Sequence, residues 1–299
     1  MSSPLSLCLC VDVDRDAPFP LSNYAHAISL PLHSEPQVHS DPVRSACYDA
    51  TIAGLEEILT LVSNLAIKLT LFIEGRFALC NSDFIKAKKT DFLKHEIGLH
   101  GLDHEDFSGE DTGILISQPE QIILEGKKAI EDIFTTDIVS FRAPYMKKGV
   151  ISSSLLQQLG FQYDSSDYVR LDSSLCLPVL KQQTALKEIP VIQLPKGEKF
   201  RGMVFYLWPL FEGNRSWSEY TSAIREICFA NREGCEESSL PLSLNLHPWH
   251  LCYRVKDKRY LTKEEVSANV GALKKILEEL VEIQTEGFIK IKKMNEVRF

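Results

Sequence analysis

Short apolar runs that stop abruptly at an ionisable residue recur along this chain, with stretches of helical spacing between them. Leu5 to Val13 leads into Asp12-Val13-Asp14, Ile67 to Ile73 into Glu74-Gly75, and His95 to Leu99 into His100. Ile138 to Phe141 meets Arg142, and Leu242 to Leu246 meets His247. Between them, Ile52, Leu55, Leu59 and Val62 mark an amphipathic helix over Ser45 to Leu65. Phe84 to Leu93 and the stretch through Ile122, Ala129, Ile130 and Ile133 read the same way. Strand alternating with helix is the order of a parallel sheet, so the chain is α/β. Further strands are expected over Glu188 to Leu194, Met203 to Leu207 and Phe288 to Ile291. Capping boxes at Ser117-x-x-Glu120, Ser216-x-x-Glu219 and Thr262-x-x-Glu265 are expected to open helices.

With 299 residues, 44% of them apolar, the chain is long enough for one large barrel or two modest domains. It has no internal repeat and no clear linker, which favours a single domain over residues 1–299. The one long irregular stretch, about 17–44, is rich in proline and is expected as a loop insertion, of the length that is either a functional lid or disordered. Its histidines, His26, His33 and His39, are expected to be solvated. A formal charge of -8 and a pI near 5.6, with no basic run, argue against a nucleic-acid or anionic-membrane surface. No stretch approaches the ~18 to 20 apolar residues of a membrane span. The N-terminal MSSPLSLCLCVDVD lacks a basic leader region and reads as a first strand, so a cytoplasmic protein is expected. Eight cysteines without a C-x-x-C pair fit reduced thiols.

The chemistry starts from His95 to His104, HEIGLHGLDH. His100 and His104 lie four apart, and two neutral imidazoles at that spacing can reach one divalent ion, although the same spacing also occurs by chance. Side chains alternate along a strand, so Asp12 and Asp14 point the same way. One carboxylate could bind a cation while the other stays free as a base; an acidic strand exit into solvent is the rival. Pro144 bars a central strand, so Arg142 should stand at a strand end, ready to hold a carboxylate or to form a structural ion pair. His247 ends a strand ahead of Pro248, either as a site residue or as a core histidine.

In chain order these groups are Asp12-Val13-Asp14, His100 to His104, Arg142-Ala143-Pro144-Tyr145, Asp164-Ser165-Ser166-Asp167-Tyr168 and Leu244-Asn245-Leu246-His247. This series resembles the five motifs of the polysaccharide deacetylase family of metal-dependent carbohydrate esterases. The resemblance implies a distorted (β/α) barrel with fewer than eight regular strands and a site at its C-terminal mouth. It implies Asp14, His100 and His104 as ligands of one divalent metal, zinc by preference, with cobalt and other divalent ions as alternatives. Asp12 would be the base, oriented by Arg142, and His247 the general acid, tuned by Asp167 or alternatively Asp164. The backbone N–H of Tyr145 would meet the oxyanion. Independently of the resemblance, Tyr145 and Trp249, with Trp208 and Phe19, could offer flat faces to a sugar substrate, simple packing being the rival. Two departures stand out: Val13 separates the usual Asp-Asp pair, and Gly101 replaces the usual Ser or Thr after the first histidine.

The expected reaction is removal of an acetyl or other N-acyl group from an amide of a carbohydrate or related molecule by attack of a metal-bound water. The alternatives are an allantoinase-like hydrolase of a small linear or cyclic amide and a non-catalytic, metal-stabilised binding module. The partner is then an acetylated sugar or small amide, with homo-oligomerisation left open.

Overall fold

The computed structural model describes residues 3–16, 48–110, 116–178, 185–232 and 240–298. The expected loop at 17–44, with Phe19, His26, His33 and His39, lies outside them. Its strands are β1 (Leu5–Val13), β2 (Thr70–Ile73), β3 (Glu96–Leu99), β4 (Ser140–Phe141), β5 (Tyr163–Asp164), β6 (Tyr168–Arg170), β7 (Lys187–Glu188), β8 (Val191–Gln193), β9 (Leu242–Leu246), β10 (Tyr253–Arg254), β11 (Arg259–Tyr260) and β12 (Ile289–Lys292). Its α-helices are α1 (Asp49–Asn64), α2 (Gly75–Cys80), α3 (Ser82–Ala87), α4 (Lys89–Phe92), α5 (Pro119–Phe134), α6 (Ser153–Gln158), α7 (Trp208–Phe211), α8 (Trp217–Ala230) and α9 (Lys263–Thr285).

The main sheet is parallel throughout and curls into a distorted barrel. Of its eight strands, β12 pairs with Leu5 to Cys8 of β1, and β2 pairs with Cys10 to Val13. These two share one edge of β1 while β9 takes the other, along Leu7 to Val11. Seven positions therefore run round the curl, in keeping with fewer than eight regular strands.

The gap between β8 and β9 is bridged by residues 203–207, expected as a strand but present only as isolated bridges. Gln193 pairs antiparallel with Val204, and Tyr206 pairs parallel with Asn245. Similarly, the expected strand Glu188 to Leu194 divides into β7 and β8 at Pro190, which has no N–H for the ladder.

Strand alternation divides the interior from the helix layer. Leu7, Leu9, Val11 and Val13 of β1 belong to the large apolar cluster that also holds Leu55, Ile58 and Val62 of α1 and Leu273, Ile276 and Leu280 of α9. The even positions face inward, where Cys8 and Cys10 pack with Phe72, Tyr163 and Met294. Continuing that face along the strand brings Asp12 to the mouth. The capping boxes at Ser216 and Thr262 both form. The one expected at Ser117 does not: Gln118 precedes Pro119 as the N-cap, without a side-chain cap bond. The expected helix Phe84 to Leu93 is broken at Lys88 into α3 and α4.

Candidate metal centre and active site

Asp12 is the penultimate residue of β1 and Asp14 follows its end, while His100 directly follows β3. One carboxylate oxygen of Asp14 and one nitrogen from each of His100 and His104 lie within 4.8 Å of one another, and all three residues are buried. Each is aimed by a second partner. His100 Nδ1 is 2.9 Å from the Arg142 carbonyl. A carbonyl only accepts, so Nδ1 carries the proton and the Nε2 lone pair is left for an ion. His104 Nδ1 meets the Tyr145 hydroxyl at 2.9 Å, which leaves Nε2 facing Asp14 Oδ2 at 3.2 Å. Asp14 Oδ1 accepts from the Trp249 indole N–H at 3.0 Å. Burial pushes the pKa of His100 down to about 3 and that of His104 down to about 4, so both rings are neutral donors. Burial lifts Asp14 to about 7, with His247 and the Trp249 N–H pulling against it. Two neutral imidazoles and a carboxylate that burial leaves poorly compensated are a donor set suited to zinc or a similar divalent ion.

The turn carrying the histidines explains the glycine after His100. Gly101 has φ +73°, and a Cβ there would stand 2.5 Å from Glu105 Oε2. The buried Glu105 carboxylate accepts from the N–H groups of Leu102, at 3.0 Å, and Asp103, at 2.8 Å. It thus organises the turn from within, and a Ser or Thr side chain at 101 would collide with it.

Asp12 is gripped at both oxygens. Oδ1 accepts from Arg142 at 2.7 Å, and Oδ2 accepts from the Tyr206 hydroxyl. Burial alone would raise its pKa, but Arg142, His100, His247 and Tyr206 together hold it down at about 2, leaving an anion able to accept a proton. Arg142 is completely buried and spends three further donors on Ser165 O (3.0 Å), Ser165 Oγ (2.7 Å) and Asn245 Oδ1 (2.7 Å). Its guanidinium lies 4.3 Å from the centre of the Phe72 ring. That ring occupies the space a Cβ on Gly98 would need, 2.8 Å away.

His247 Nε2 is 3.8 Å from both Asp12 Oδ2 and Asp14 Oδ2. Asp12, Asp14, His100, His104, Arg142 and His247 are thus brought together. Asp167 is not brought to His247. Its half-exposed carboxylate meets Lys148 Nζ at 2.8 Å. Asp164 meets the same ammonium at 3.0 Å and accepts from Ser166 Oγ at 2.5 Å. One lysine therefore claims both aspartates, correcting the expected tuning of His247 by either. Trp249, expected against substrate, is only 1% exposed and lies behind Asp14. The Tyr145 side chain is turned onto His104, and its backbone takes the left-handed conformation, φ 58°, in the 3-10 turn Pro144–Met146. Tyr206, Lys148 and Glu105 went unread from the sequence, and Ser165 was read only as part of the motif at 164–168. Asn245 carried a signal, since it lies two residues before His247 on a strand and so faces the same side.

The polysaccharide deacetylase family model matches residues 40–163. That span contains HEIGLHGLDH and Arg142 to Tyr145, whereas Asp12, Asp14 and His247 lie outside it and join it only in the fold. Solved structures sharing the fold include a probable polysaccharide deacetylase from Pseudomonas aeruginosa PAO1, 15% identical, covering 97% of this chain and 88% of that one, with a TM-score of 0.59. A Mycobacterium smegmatis protein assigned by name to the polysaccharide deacetylases is 18% identical, covering 99% and 92%, with a TM-score of 0.57. Puue allantoinase is 15% identical, covering 97% and 88%, with a TM-score of 0.62. No curated protein matches the sequence. The resemblance to polysaccharide deacetylases thus holds in the family model and in the fold. Among the described residues, no helix is long and apolar enough to cross a membrane.

Proposed function

We propose that this protein is a metal-dependent amide hydrolase that removes an N-acyl group, acetyl by preference, from a carbohydrate or related amide. The observation that carries the reading is the meeting of Asp14, His100 and His104 with an anionic, doubly held Asp12 and with His247. A divalent cation, zinc by preference, would supply an acidified water and polarise the acyl oxygen when bound. Asp14 and the Nε2 atoms of His100 and His104 would hold it. Asp12, fixed by Arg142 and Tyr206, accepts the proton of the attacking water. The backbone N–H of Tyr145 meets the negative charge that develops on the acyl oxygen. His247 Nε2, 3.8 Å from Asp12 Oδ2, takes up the proton held by Asp12 and gives it to the departing nitrogen, because an amine leaves poorly unless protonated. The water oxygen ends in the released acid, and the nitrogen leaves as the free amine.

A second reading, hydrolysis of a small linear or cyclic amide, is favoured by the likeness in fold to Puue allantoinase. It uses the same residues and differs only in the bond opened. Acid and amine release from N-acetylated sugars, glycan oligomers and cyclic amides, with zinc or cobalt added, separates the two. Acetate released by the wild type, and lost in Asp12→Asn and His100→Ala, supports the deacetylase. Ring opening without acetate moves the protein to the second reading. Metal binding with no turnover across the panel favours a binding module instead.

A further inference from the structure

His250 lies three residues past His247, in the 3-10 turn Pro248–Leu251. It is 2% exposed, and neither of its ring nitrogens has a hydrogen-bond partner among the described residues. The Nδ1 of His247 is in the same condition. Buried nitrogens in native proteins are almost always partnered, by protein or by ordered water. These three nitrogens belong to two neighbouring rings. The two rings meet edge to face with centroids 5.7 Å apart, and on the far side His250 Nε2 is 3.9 Å from Glu212 Oε1. Glu212 is itself fixed, accepting from the N–H groups of Val255 at 2.8 Å and Lys256 at 3.1 Å. The Trp249 ring, 3.7 Å from that of His250, keeps the imidazole from turning away. With Asp164 and Asp167 both on Lys148, no carboxylate of that loop supports His247 from behind.

We propose that Glu212 and His250 are positioning residues for His247, acting through one ordered water. The direction of the chain follows from charge. The Glu212 carboxylate favours an N–H at His250 Nε2, which makes His250 Nδ1 an acceptor. A water donating to that nitrogen can accept from His247 Nδ1–H. The proton on His247 Nδ1 is then held, and Nε2, the nitrogen facing Asp12 and Asp14, is left to exchange one. Burial favours the neutral His250 that this chain requires. The proposal rests on the reading of His247 as proton donor to the leaving nitrogen.

Histidine ¹⁵N spectra of the metal-free protein report each ring's tautomer without any turnover. In the wild type, His247 is expected as the Nδ1–H form and His250 as the Nε2–H form. His250→Phe keeps the stack on Trp249 but has no nitrogen, and is expected to give mixed tautomers at His247. In the metal-loaded enzyme it should lower kcat about tenfold with KM and bound metal unchanged. His250→Gln, which restores an acceptor, should recover part of kcat. Glu212→Gln gives a second route should His250→Phe fail to fold, and is expected to shift His250 away from the Nε2–H form. A wild-type His247 in the Nε2–H form overturns the proposal, as does a His247 tautomer indifferent to the substitutions. Because the spectra need no turnover, they separate failure of this proposal from failure of the hydrolase reading.

Discussion

Two buried carboxylates stand at opposite ends of the parallel sheet. Glu96 opens β3 at the barrel floor, and Asp14 follows the end of β1 at the mouth; they are 4% and 1% exposed. Glu96 is satisfied within the chain. It accepts from Thr70 Oγ1 at 2.9 Å, from the Asn295 N–H at 3.0 Å and from the Ser140 hydroxyl, tying β2, β4 and the C-terminal turn together. Among the described residues, Asp14 receives the Trp249 indole N–H, its own backbone N–H and the approach of two histidines. A buried charge persists only when it is paired or fully hydrogen-bonded. The floor meets that condition with its own hydroxyls, whereas in the proposed function a cation meets it at the mouth. On the proposed function, the same residue chemistry is structural at one end of the sheet and functional at the other.

Removing the charge at each end should give opposite outcomes. Asp14→Asn should abolish tight zinc binding in a calorimetric titration while leaving the metal-free protein at least as stable as the wild type, because an uncompensated anion has gone. A large loss of metal-free stability in that variant would make Asp14 structural and break the contrast. Asp12→Asn should keep the metal and the fold but lower turnover by about 10²- to 10⁴-fold in steady-state kinetics. Glu96→Gln should leave metal content and turnover alone and cost about 2–3 kcal/mol in urea denaturation, since buried donors lose a charged acceptor.

A pH effect confined to stability should come from His95, at the same end as Glu96. Its Nδ1 accepts from the Leu69 N–H at 3.2 Å, and burial lowers its pKa to about 4. A histidine depressed in the folded state contributes stability that is present above the unfolded value near 6.5 and is lost as pH falls toward 4. At pH 5 that loss is about 2 kcal/mol. His95→Asn, which retains an acceptor, should flatten this part of the stability curve. An unchanged slope between pH 6.5 and 4 would remove His95 as its source.

The mouth was more legible in the sequence than the floor, and the reason is local. Asp12, Asp14, His100, Arg142 and His247 each stop or follow an apolar run, and strand alternation sends them to one side. Their gathering follows from short-range pattern plus the parallel order. Glu96 gave no such signal, because its partners lie on β2, β4 and residues 294–296, far away in sequence. Tyr206 was hidden for the same reason: it reaches Asp12 from an irregular segment with only isolated bridges. The roles expected of Asp167 and Trp249 depended on contacts between loops, where Lys148 and Asp14 proved to be the nearer partners. The departure at Gly101 has its reason in Glu105, which occupies the space a side chain there would need.

The most direct measurement is turnover of an N-acetylated amide as cobalt is titrated into the metal-free protein, with binding followed by the visible spectrum. Expected is a rate that rises in proportion to bound metal, saturates with a single ion per chain, and stays at background in His100→Ala. A rate indifferent to bound metal, or an ion that binds His100→Ala as tightly as the wild type, would contradict the assignment of Asp14, His100 and His104 as the centre on which the chemistry depends.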